Sequence, residues 1–67
     1  MLKIMLNKKE KELSKNSSLK DLITILKLDP KGIVLEVNLE IVKRDTWEDF
    51  ILKDGDNVEI ITFMGGG

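Results

Sequence analysis

The sequence predicts an α+β fold in which one main helix packs on one face of a mixed sheet of four to five strands. Three observations carry this. Apolar residues alternate in separate short runs, a single stripe of helical spacing lies between Leu19 and Leu26, and clusters of turn-forming residues divide the runs. With 67 residues the chain supports one domain with one small core. That domain is expected to span residues 1–64, with 65–67 as a flexible glycine tail.

The first run places Leu2, Ile4 and Leu6 on one side of a strand and Lys3 and Met5 on the other. Asn7-Lys8-Lys9-Glu10 is polar and turn-prone, so Lys11 to Leu13 is expected to return as a short second strand of a hairpin. Ser18 and Asp21, three residues apart, form a capping-box pattern at a helix start. Leu19, Leu22, Ile23 and Leu26 then follow at helical spacing. Asp29-Pro30-Lys31-Gly32 is expected to stop this helix, through the restriction proline places on the residue before it and the reversal glycine permits.

Ile33 to Val37 alternates again, with Ile33, Leu35 and Val37 on one face and Val34 and Glu36 on the other. Asn38-Leu39-Glu40 turns the chain into a short strand at Ile41-Val42. Asp45 is expected to cap a brief helical turn that holds Trp47, whose large ring is read as a core plug rather than a ligand platform. Asp54-Gly55-Asp56 is a turn, and Asn57 to Phe63 is the last strand. This order of elements fits a β-grasp fold.

The last strand runs straight into Met64-Gly65-Gly66-Gly67. A chain without Cβ atoms is thin and can be fully extended, so it can thread a channel too narrow for other residues. Four residues reach about 13 Å. The competing reading is a frayed chain end. In the same strand Val58, Ile60 and Thr62 share one face and Glu59, Ile61 and Phe63 the other. Glu59 prefers water, which puts Ile61 and Phe63 outside, joined by Met5 and Val34 as an apolar docking surface beside the tail. The competing arrangement hides Ile61 and Phe63 under a neighbouring loop.

Composition narrows the function. There is no His and no Cys, so the commonest general base, the best thiol nucleophile and the usual transition-metal ligands are all missing. A self-contained enzyme and a metal site are not expected. Eleven basic against twelve acidic residues provide no excess of positive charge for a nucleic-acid backbone. Met1 to Leu6 is too short for a signal peptide or a membrane span. A cytoplasmic protein with neither nucleic-acid nor membrane partners is expected.

Several segments resemble the ThiS family of sulfur carriers for thiamine thiazole synthesis, small ubiquitin-like proteins. They are Leu19-Lys20-Asp21-Leu22-Ile23, the run from Val37 to Arg44, Trp47, Asp54-Gly55-Asp56 and the terminal Gly66-Gly67. Lys43 stands where family members often have proline, and Met64 where a smaller aliphatic residue is usual. Neither departure touches the terminus. The resemblance implies a carrier rather than an enzyme. The Gly67 carboxylate would be activated by a ubiquitin-activating-type adenylyltransferase that uses ATP, with no cofactor bound to the carrier itself. Sulfur from a donor such as a cysteine desulfurase system would convert it to a thiocarboxylate, and thiazole synthase would accept that sulfur. Gly67 would be the reactive residue and Gly66 its slim neighbour, while Gly65 extends the tail and Ile61, Phe63, Met64, Met5 and Val34 meet partners. Other diglycine carriers remain open on the sequence, such as those resembling the small subunit of molybdopterin synthase or serving tRNA thiolation. So do a lysine-conjugated ubiquitin-like modifier and a plain interaction module with an inert tail.

Overall fold

The computed structural model describes residues 1–62. Strand β1 (Leu2–Leu6) turns into β2 (Lys9–Leu13) through Asn7 and Lys8 alone, both with positive φ. Strands β3 (Ile33–Val37) and β4 (Glu40–Val42) are joined the same way by Asn38 and Leu39. Left-handed geometry at both central residues matches the twist of the flanking strands, and asparagine tolerates it at the first position. Each hairpin is therefore tighter than expected from sequence: β2 begins at Lys9 and β4 at Glu40.

Strand β5 (Asn57–Thr62) lies in the middle of a five-stranded sheet of order β2-β1-β5-β3-β4. It runs parallel to β1 and antiparallel to β3. The turn before it depends on Gly55 at φ 86°, whose N–H donates to Lys3 O at 2.8 Å. Asp54 Oδ1 accepts from Lys3 N–H at 2.8 Å, which ties the same turn to the start of β1.

Helix α1 (Leu19–Leu26) starts at a complete capping box. Asp21 N–H donates to Ser18 Oγ at 3.0 Å, and Ser18 N–H donates back to Asp21 Oδ2 at 2.9 Å. The helix ends earlier than Pro30 and Gly32 suggest. Lys27 adopts left-handed geometry at φ 59°, its N–H donating to Thr24 O while Leu28 N–H reaches Ile23 O at 3.2 Å. This double closure is a Schellman motif, and Leu28 beyond it packs on the core. Insertion of Leu28 makes the reversal possible without glycine. Pro30–Gly32 instead forms a separate 3₁₀ turn capped by Asp29 Oδ1, which accepts from Lys31 N–H at 3.0 Å.

Asp45 does not cap the turn that holds Trp47. The 3₁₀ turn spans Arg44–Asp49, so Asp45 lies inside it, and the capping position falls on Lys43, which offers no side-chain acceptor. Thr46 Oγ1 donates to Lys43 O at 2.7 Å and holds the first residues together. Trp47 in this turn is buried, and its Nε1–H donates to Val42 O at 2.9 Å.

The core lies between α1 and the inner face of the sheet. Ile4, Leu19, Leu22, Leu35 and Val58 are fully enclosed there. Among the described residues no helix is long and apolar enough to cross a membrane.

Candidate functional site

Once Leu2, Ile4, Leu35, Val37 and Val58 are committed to the core, period-two geometry sends their neighbours outward. The outer face of the sheet carries no helix among the described residues. On its central strands stand Glu59 and Ile61 of β5 beside Val34 and Glu36 of β3.

Val34 and Ile61 are direct partners in the antiparallel register. Ile61 is 44% exposed and Val34 half-buried, so the pair forms an apolar step close to the end of β5. Ile41 on β4 faces Glu36 and stands diagonally from Val34, with 69% of its surface open. Diagonal neighbours lie about 7–8 Å apart, within reach of one partner surface. Sequence reading passed over Ile41. Its signal is the three-residue strand itself, since half-buried Val42 next to it points inward and leaves Ile41 outside.

Met5 is placed elsewhere. It is also outward and partly exposed, but its β5 partner is Asn57, four residues from Ile61. At about 3.3 Å per residue that is roughly 13 Å along the strand. Glu59 lies between them. The apolar surface is thus Val34, Ile41 and Ile61, with Met5 at the far end of the face. Phe63, Met64, Gly65, Gly66 and Gly67 lie outside the described residues.

On the opposite side of the molecule a cleft of about 290 Å³ runs between α1 and the Trp47 turn. Lys20, Arg44 and Glu48 stand on its rim above Ile23 and Leu28. It holds no paired acid and base with hydrogen-bond contact, and nothing in it resembles a nucleophile with an activating partner.

A mixed five-stranded sheet, one helix on its inner face and an open apolar step where β5 ends define a small β-grasp protein. The chain belongs to the ThiS family, whose model matches residues 4–67. The sulfur carrier protein ThiS of Bacillus subtilis is 32% identical over 65 residues, which is 96% of this chain and 98% of that protein. A crystal structure of the thiamine biosynthesis protein ThiS from Geobacter metallireducens superposes with a TM-score of 0.84 at 29% identity, over 98% of this chain and all of that one. The thiazole synthase of Paramagnetospirillum magneticum is 33% identical over 66 residues. This chain spans only 20% of that protein's length.

Proposed function

We propose that this chain is a sulfur carrier for thiamine thiazole synthesis, a substrate of its pathway enzymes rather than a catalyst. The observation that carries the reading is the family match through residue 67, which includes the three glycines. Near-complete mutual coverage with the Bacillus subtilis sulfur carrier supports it.

The chemistry follows from the terminus. A free α-carboxyl has a pKa of about 3.3–3.7, so Gly67 is an anion at neutral pH and resists nucleophiles at its carbonyl carbon. Attack of its oxygen on the α-phosphorus of ATP expels pyrophosphate and leaves an acyl adenylate. Hydrosulfide-level sulfur then adds to the acyl carbon and expels AMP, which yields the thiocarboxylate and a proton. Glycine at 66 and 67 leaves the line of attack unhindered. The adenylyltransferase binds ATP with its metal and performs the catalysis, and Val34, Ile41 and Ile61 dock the carrier. A cysteine desulfurase system provides persulfide sulfur that a thiol reductant brings to the sulfide level as it is converted to a disulfide. Thiazole synthase accepts the sulfur. A protein of that name contains a stretch similar to nearly all of this chain, which supports the two working as a pair.

The test is intact mass after incubation with ATP, the adenylyltransferase and a sulfur donor. Replacement of one oxygen by sulfur at Gly67 is expected, with Gly67→Ala folding normally but failing to load. An unchanged mass, with the enzyme active on a known carrier, would overturn the reading.

A further inference from the structure

The ladder between β1 and β5 is short. Its register covers only Met5 with Asn57 and Leu6 with Val58, and Asn7 N–H adds a bond to Val58 O at 2.9 Å. There the chain turns away into β2, while β5 continues to Thr62. Its other edge stays paired with β3 as far as Ile33 opposite Thr62. The β1-side peptide groups of Ile60 would face an open edge.

Asn7 closes that edge. With φ at 48° its carboxamide swings back over β5, where Oδ1 accepts from Ile60 N–H at 2.7 Å and Nδ2 donates to Ile60 O at 3.4 Å. The side chain thus substitutes for the peptide that a longer β1 would have supplied. Among the described residues it is the last hydrogen-bonded tie on this side of β5 before residue 63. An edge peptide bonded on both sides is held against fraying, and the direction in which a strand ends sets where the following residues start.

We propose that Asn7 is a positioning residue: by clamping Ile60 it fixes the position and direction of β5 as far as Thr62, so that a docked carrier presents its terminus to the adenylating centre. The proposal rests on the carrier reading above. A matched control exists in the other hairpin. Asn38 is also left-handed, at φ 52°, and its Oδ1 accepts from Asn57 N–H at 3.0 Å, at the opposite end of the same strand.

The experiment compares Asn7→Gly, Asn7→Asp and Asn38→Gly with the wild-type chain. Glycine keeps either turn and removes only the carboxamide. Thiocarboxylate formation is followed by intact mass against carrier concentration, with adenylyltransferase, ATP and a sulfur donor. Amide exchange of Ile60 is measured on the free proteins. Asn7→Gly should speed exchange at Ile60 but not at Val58, and lower kcat about fivefold, the equivalent of one net hydrogen bond, with KM unchanged because docking is intact. Asn7→Asp keeps the acceptor and should recover most of the turnover. Asn38→Gly should turn over like the wild type. Equal kcat losses in both glycine variants, wild-type kcat in Asn7→Gly, or unchanged Ile60 exchange would each overturn the clamp while leaving the carrier reading standing. Failure of the wild-type chain to load would overturn the carrier reading and this role with it.

Discussion

Glu36 and Glu59 stand directly opposite each other on the outer face of the sheet, paired in register between β3 and β5. Like charges so placed repel, and the outward residue on the far side of Glu36 is Ile41, which offers no countercharge. Glu36→Lys turns the pair into an opposite-charge contact. It should raise stability by about 0.2–1 kcal/mol at low salt. In 1 M salt, where the screening length falls to about 3 Å, most of that gain should vanish. Urea denaturation at the two salt concentrations measures the difference, and a gain indifferent to salt would mean that charge is not its source.

Leu39 combines two unfavourable features, a left-handed backbone at φ 74° and 85% exposure at the tip of the β3–β4 hairpin. Its side chain does little for the core, while its Cβ crowds the backbone. Leu39→Gly produces the Asn-Gly pair that two-residue hairpins favour. A gain of about 0.5–1 kcal/mol is expected, after the greater chain entropy of glycine is set against the relieved strain. For a domain of this size that is a rise in Tm of roughly 2–8 °C by calorimetry.

Trp47 fastens the turn after β4 by filling the core and by donating Nε1–H to Val42 O. Trp47→Phe retains an aromatic ring but loses that bond and some volume, at a cost of about 1–3 kcal/mol. Trp47→Ala should cost about 3–5 kcal/mol, enough to leave much of so small a domain unfolded. Circular dichroism of both variants across a thermal ramp checks the order.

The sequence was most informative where one physical rule acted alone. Alternation with no competing signal places β3 at Ile33–Val37, and the Ser18–Asp21 pair places the start of α1. It was least informative at reversals made without glycine. Lys8, Lys27 and Leu39 all take positive φ because tertiary packing and hairpin closure outweigh their local preference. The outward apolar surface of the sheet was legible in part for a similar reason. Inward and outward faces follow from period two within a strand, which identifies Val34 and Ile61. Which outward residues become neighbours depends on register between strands, and register separates Met5 from that pair and adds Ile41.

Ile61 offers the clearest separation of docking from folding, being nearly half exposed and packed against Val34 across the strand pair. Its loss should cost the fold little, because the core beneath is made by Val58 and Leu35, both fully buried. Burying the exposed part of an isoleucine against a partner contributes about 1–1.5 kcal/mol at 25 cal/mol per Å². Ile61→Ser should therefore raise the KM of the adenylyltransferase for this carrier about tenfold, while kcat at saturation and the thermal transition stay close to those of the parent chain. The same variant built on Val34→Ser should add less than a second tenfold step, since the two residues form one contact. A fall in kcat with KM constant would assign Ile61 to presentation of the terminus instead of docking, and a collapse of the thermal transition would assign it to the core.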